Sequence, residues 1–417
     1  MLKLIYHIVL RLGLGLGLGG FIIACTNQSV PEFTSFDQLL QDQVEHGHIA
    51  GASALIIKDG KEVYFGAFGQ ADREKKKPMR RDTLVNIYSM TKPITGTVLM
   101  TLYEEGLFQL DDPLSKYLPE YKNLHVWTGE VDDSGDILTV PAQRPIQIID
   151  IMRHTSGYTY GWEGDALAAV TNEANLLDPQ ITLETFSKRA ATLPLRFQPG
   201  TQWGYSFSVD IQARLAEVLG KQPYNELLQS RVLGPLGMTD TGYFVPHSDK
   251  SRLSAIYITQ EDGQLLREPD QQVYGFAPTP PRLMAGGHGL ISTLDDYSRF
   301  AQMLLGQGTY KNIQILKPET VALMSQDHLP KELTEKSFLG EKGQIGFGID
   351  FAVRTAPPSS VDEARGEVGE FFWDGRASTL FWVDPINDMT VIFFTQIVPF
   401  NSELHTDVRA AIYSDLQ

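Results

Sequence analysis

Apolar and polar positions along the chain follow two periods, and the short period is concentrated near the two ends. Residues 36–44 recur at helical spacing, and Gly47 lies where such a helix would stop. Residues 52–57 and 62–65 are two short apolar runs joined by Lys58-Asp59-Gly60-Lys61, an Asp-Gly turn that predicts a hairpin. At the far end, 369–373, 380–383 and 389–396 read as three strands, the last two linked by Asp384-Pro385-Ile386-Asn387-Asp388. Residues 404–416 read as a closing amphipathic helix. The long middle is richer in helical patterns, including 95–105 and 209–219, the latter closed by Gly220.

A helix and two strands thus open the chain, and three strands and a helix close it. The simplest packing is one antiparallel sheet built from both termini, with those two helices on one face. The middle would form a second, mainly helical lobe inserted into it. The expectation is an α+β fold with a sheet lobe over 35–80 and 275–417, a helical lobe over 81–274, and a cleft between them for a small molecule.

The first residues have a different character. Lys3, His7 and Arg11 make a basic start, and residues 12–24 are an apolar stretch laced with Gly13, Gly15, Gly17, Gly19 and Gly20. As a helix that stretch covers about 20 Å, too short for a bilayer core of about 30 Å. It reads as an export signal over 1–24. Ile22-Ile23-Ala24-Cys25 resembles the lipobox of bacterial lipoproteins, in which the cysteine is lipidated after cleavage. That resemblance implies a protein held to the bilayer of a bacterial envelope through Cys25, with 25–34 as a tether. The alternative is an ordinary secretory signal with an incidental cysteine.

Cys25 is the single cysteine, so an internal disulfide, a Cys-rich metal site and a redox pair are all excluded. The net charge of −16 opposes binding to a phosphate backbone, so nucleic acid is not an expected partner. His46 and His48 lack a third ligand at a recognisable spacing, and no metal site is expected. Gly286, Gly287 and Gly289 are not followed by the Gly-Lys-Ser/Thr ending of a phosphate loop, and no cofactor is expected.

Chemistry is carried by Tyr88-Ser89-Met90-Thr91-Lys92, followed by Pro93. Proline is tolerated in the first helical turn, so Pro93 starts the helix close to Ser89. Three residues apart, Ser89 and Lys92 would share a face, with the hydroxyl near the positive end of the helix dipole. A desolvated lysine is a base able to activate a serine. By spacing alone, Ser89 could equally be a helix cap and Lys92 a solvated charge.

A second motif tips that balance. Pro199-Gly200-Thr201-Gln202-Trp203-Gly204-Tyr205-Ser206 precedes the helix from 209. Arg81-Asp82-Thr83, the Ser89-to-Lys92 motif, Leu110-Asp111-Asp112-Pro113, His154-Thr155-Ser156-Gly157, the Pro199 loop with Tyr205, and Gly286-Gly287-His288-Gly289-Leu290 follow in one order. In that order the chain resembles the serine β-lactamase and penicillin-binding superfamily over about residues 35–417. It is most similar to the carboxylesterases allied with class C β-lactamases.

The resemblance implies a β-lactamase/transpeptidase-like fold and a serine hydrolase working through an acyl-enzyme. By it Ser89 is the nucleophile, and Lys92 and Tyr205 are the paired base, the phenol ionised or poised beside the ammonium. Trp373-Asp374-Gly375 stands where relatives carry Lys-Thr-Gly, which makes these three residues substrate-binding and makes the N–H groups of Ser89 and Arg376 the oxyanion hole. Tyr158, with Tyr160 and Trp162, is expected to line the cleft, though such aromatics are also core material.

Three departures bear on substrate. Phe207 stands where penicillin-active relatives have Asn, Trp373 replaces a lysine that helps bind a substrate carboxylate, and Asp374 puts an acid beside a carbonyl that must gain negative charge. Arg376 is the neighbour able to offset that acid. His154 is read as structural, because no Gly-x-Ser-x-Gly elbow accompanies it. The expected activity is a carboxylesterase on small-molecule ester or amide substrates. The alternatives are a β-lactamase or D-Ala-D-Ala carboxypeptidase at the envelope, and a catalytically idle envelope binding protein.

Overall fold

The computed structural model describes residues 31–333, 335–360 and 363–416, so the expected export signal over 1–24 and Cys25 lie outside the described residues. The first helix, α1, runs Thr34–Glu45. Strands β1 (Gly51–Lys58) and β2 (Lys61–Asp72) form the expected hairpin. At its turn Asp59 and Gly60 take φ of 51° and 68°, the doubly left-handed backbone that an Asp-Gly hairpin supplies. β2 continues well past the apolar run that marks it, through half-buried residues with no period-2 pattern to buried Ala71 and Asp72.

An eight-stranded sheet grows from this hairpin. Adding β3 (Lys77–Pro78), β4 (Ile345–Phe347), β5 (Ala352–Arg354), β6 (Phe371–Asp374), β7 (Leu380–Asp384) and β8 (Met389–Thr395), its order is β4-β5-β6-β7-β8-β1-β2-β3. Each neighbouring pair is antiparallel. The chain ends pair at its centre, with Ala52 opposite Thr395 and Lys58 opposite Met389. This joins the start of the domain to its end, and the sheet expected from both termini is the one observed.

Alternation along β7 divides the core. Phe381 faces Tyr297 of a helix over Leu294–Leu305, with ring centroids 5.0 Å apart. Trp382 points the other way and stacks on Tyr413 of the closing helix over Ser402–Asp415. That closing helix and α1 pack together, and Asp415 accepts the free N–H groups of Ser35 and Phe36 at 3.2 and 2.9 Å. The carboxylate thereby meets the positive end of α1. Under the same face lies a buried ion triad. Glu370 takes Arg354 at 3.1 Å and Arg409 at 2.8 Å, and Arg409 also covers the rings of Phe372 and Trp382.

Two helices organise the inserted segment. The helix α2 over Thr91–Glu104 is buried on nearly every side and packs against α3, Ser208–Gly220. The expected stop at Gly220 moves by one residue: Gly220 is still helical, and Lys221 takes the left-handed backbone at φ 54°. Gly220 is needed for packing instead, since a Cβ there would lie 2.7 Å from the Leu227 side chain. The segment also holds hairpins that no helical pattern announced, at His125–Val131 with Ile137–Pro141 and at Tyr257–Thr259 with Leu265–Arg267. The second of these pairs in parallel with Ile397–Val398.

Candidate active site

Ser89 sits in a short 3-10 turn, Tyr88–Met90, directly before α2. Tyr88 just ahead of it has φ 44°, a left-handed backbone that a bulky residue adopts only under tertiary constraint. The side chain of Ser89 stays partly accessible while the residues on either side of the turn are buried.

One turn along, Lys92 is fully buried. Its Nζ donates to Ser89 Oγ at 3.1 Å and to the Gly287 carbonyl at 2.7 Å. Burial is the main reason its pKa falls to about 8, against the opposing pull of Asp210, Asp350 and Asp374. Asp210, in the first turn of α3, accepts the Gly287 N–H at 2.9 Å. One glycine thus ties a carboxylate on α3 to the amine on α2. The glycine run has a steric cause: a Cβ at Gly286 would fall 2.3 Å from the Val209 carbonyl and 2.9 Å from Ala213. The loop threads between α2 and α3 and presents a carbonyl to Lys92.

Tyr205 comes from the loop before α3, held by Gly204 N–H on the His154 carbonyl and Trp203 N–H on the Glu335 carbonyl, both 2.9 Å. Its ring lies 4.7 Å from Lys92 Nζ, and its hydroxyl is hydrogen-bonded to Ser89. Trp373 Nε1 donates to the same phenol oxygen at 3.2 Å. Burial outweighs these bonds and pushes the phenol up from its ordinary value, so Tyr205 rests protonated at neutral pH. Of the two states expected for it, the poised phenol is the one the surroundings favour.

The structure therefore brings Ser89, Lys92 and Tyr205 together on one hydroxyl oxygen. The end of β6 lies alongside. Gly375 is the residue that allows it, because a Cβ there would sit 2.5 Å from the Ile87 carbonyl in the turn leading to Ser89. Arg376 follows Gly375 in the turn, its side chain exposed. Trp373 is buried and spends its N–H on Tyr205. Tyr158 is buried against Phe207 at 5.0 Å and belongs to the core, not to the cleft wall. Tyr160 and exposed Trp162 lie beside the site, stacked on each other at 4.7 Å, with Tyr160 also facing Lys92.

One expectation about charge changes. Asp374 is paired with Lys342, a residue no motif marked, not with its neighbour Arg376. His154 is buried beside Tyr205, and burial, with Lys92 nearby, drives its pKa well down, so the ring is neutral. Sequence reasoning also passed over Asp350, buried behind α2 and pushed well up by burial, which accepts from Gln212 at 2.8 Å. A Cβ at Gly96 of α2 would fall 2.4 Å from it, so that glycine is the visible mark of the contact. Among the described residues no group of three or more His, Cys, Asp or Glu is placed to hold a metal ion.

Comparison with known proteins agrees with this geometry. Residues 36–414 match the Beta-lactamase family. The chain belongs to that family. An uncharacterized protein of Mycobacterium tuberculosis is 34% identical over 380 residues, covering 89% of this chain and 91% of its own. The lovastatin esterase of Penicillium rubens is 27% identical over 396 residues, 91% and 97% of the two chains. Among solved structures, EstCE1, described as a hydrolase with promiscuous acyltransferase activity, superposes with a TM-score of 0.74 at 25% identity, covering 91% of this chain and 98% of its own. With the fold and relatives of the Beta-lactamase family, the chain is a serine hydrolase of the β-lactamase/transpeptidase-like class.

Proposed function

We propose that the protein is a carboxylesterase acting on small esters through an acyl-Ser89 intermediate. The observation that carries this reading is the convergence of the Lys92 amine and the Tyr205 phenol on Ser89 Oγ, with the amine's pKa brought to about 8. Neutral Lys92 takes the Ser89 proton as Oγ attacks the ester carbonyl carbon. The carbonyl electrons move to oxygen, where the N–H groups of Ser89 and Arg376 receive the charge. Collapse breaks the bond to the alcohol. The departing alkoxide takes the Tyr205 proton, and the Lys92 ammonium restores it. Water then repeats the sequence on the acyl carbon and frees the acid.

Ester over β-lactam or peptide is favoured by what lies next to these groups. Phe207 is buried in the core, so it offers no amide-holding side chain, and Trp373 presents an indole to Tyr205 where a cation would read a substrate carboxylate. The similarity to the lovastatin esterase adds support. Export and lipid attachment at Cys25 complete the proposal and rest on the lipobox resemblance alone. Parallel assays with p-nitrophenyl butyrate and the β-lactam nitrocefin test the activity. The expected result is ester cleavage well above nitrocefin cleavage; fast nitrocefin turnover without ester cleavage would replace the esterase with a β-lactamase.

A further inference from the structure

The Asp374–Lys342 pair stands at the strand end that faces the reacting carbonyl, and the mechanism above does not use it. Both side chains are nearly buried, 11% and 12% exposed. Lys342 closes a 3-10 turn, Ser337–Lys342, that lies against the site at several points. Phe338 of that turn meets the rings of Tyr205 and Trp203, each at 5.4 Å. The backbone just ahead of it accepts Trp203 N–H through Glu335. The Lys342 ammonium itself sits 5.4 Å from the Trp373 ring and 4.6 Å from that of Phe400. The ammonium is thus held between aromatic faces, one of them the Trp373 indole that donates to Tyr205, which places its charge beside the catalytic groups.

Each partner alone would place a net charge beside the site. Asp374 alone is an anion whose field already reaches both Lys92 and Tyr205. Lys342 alone is a cation beside the strand. Resting on the hydrolase reading, we infer that the Lys342–Asp374 ion pair determines acyl specificity, each residue cancelling the other so that the site takes esters whose acyl group is uncharged. Neither is a catalytic residue in this scheme, since neither touches the reacting atoms; both act on which substrate is bound.

The test compares three p-nitrophenyl esters that share a leaving group and differ in acyl charge: the butyrate, the hemisuccinate and the 4-trimethylammonio-butanoate. The full chain is assayed as wild type, Lys342→Met, Asp374→Asn and the double variant. Wild type is expected to favour the butyrate. Asp374→Asn frees the ammonium and raises kcat/KM for the hemisuccinate relative to the butyrate by about tenfold or more, through KM. Lys342→Met moves the ratio the same distance toward the trimethylammonio ester, and the double variant returns to the wild-type order. Ratios within twofold of wild type in Asp374→Asn overturn the inference, as does an equal loss on all three esters, which a merely structural contact would give. Should Lys342→Met fail to fold, Asp374→Asn alone decides. Wild type cleaving none of the three, with no fluorophosphonate labelling of Ser89, strikes the hydrolase reading instead.

Discussion

A base with a pKa near 8 writes its own signature into the rate. Lys92 titrates at about 8 because burial disfavours its ammonium, and only the neutral amine accepts the Ser89 proton. By simple titration about 9% of Lys92 is neutral at pH 7, about half at pH 8 and about 90% at pH 9. The kcat/KM for p-nitrophenyl butyrate, with the enzyme-free rate subtracted at each pH, should therefore rise roughly ninetyfold from pH 6 to 9 and level off. The midpoint of that rise reports the free enzyme.

Asp210→Asn then moves the midpoint in a direction fixed by charge. The Asp210 carboxylate stabilises the ammonium, so removing its charge lowers the pKa of Lys92, by roughly one unit for a partner this close. Asn keeps an oxygen for the Gly287 N–H, so the carbonyl that orients Lys92 stays in place. The variant should be closer to its own plateau at pH 7, about half-maximal where wild type is about a tenth. A wild-type rise centred below pH 7, or a midpoint that Asp210→Asn leaves in place or moves upward, would refute Lys92 as the titrating base.

Three further outcomes are expected. Trp373→Phe removes the indole N–H from the Tyr205 oxygen and should lower kcat about tenfold, the worth of one hydrogen bond near 1.4 kcal/mol, with KM nearly unchanged in steady-state assays. Glu370→Gln strips the shared carboxylate from buried Arg354 and Arg409 and should cost about 3–5 kcal/mol in urea unfolding, with activity per folded molecule retained. Cys25→Ser should abolish palmitate incorporation in cells and release the protein to the soluble fraction; unchanged membrane attachment would remove the lipobox proposal.

The sheet was legible because its strands obey local rules. Residues 380–383 and 391–394 are continuous apolar runs, as in strands buried on both faces, and Asp59-Gly60 favours the left-handed backbone its turn takes. Short strands escaped. Ile345–Phe347 and Ala352–Arg354 are three residues each, too few to show a period; β6 offers an edge to Ala352–Arg354, which in turn offers one to Ile345–Phe347. Gly220 misled in the opposite way, since a glycine required by Leu227 looks in sequence like a glycine required by a helix end.

The site divides along the same line. Ser89, Lys92 and Tyr205 were found because spacing along one helix and a loop motif bring their roles with them. Lys342 was not, because 32 residues separate it from Asp374 and nothing local marks a lysine in an irregular turn as belonging to a buried pair. Sequence did place an acid, Asp374, on the strand beside a carbonyl that gains negative charge, with Arg376 as the neighbour able to offset it. Arg376, next to Gly375, was the near choice, but its side chain is exposed, and a surface ion pair is too well solvated to discharge a buried acid. Lys342 is instead brought in from a distant segment and desolvated with Asp374. The acid was therefore readable in the chain, while the cation that pairs with it belongs to the fold.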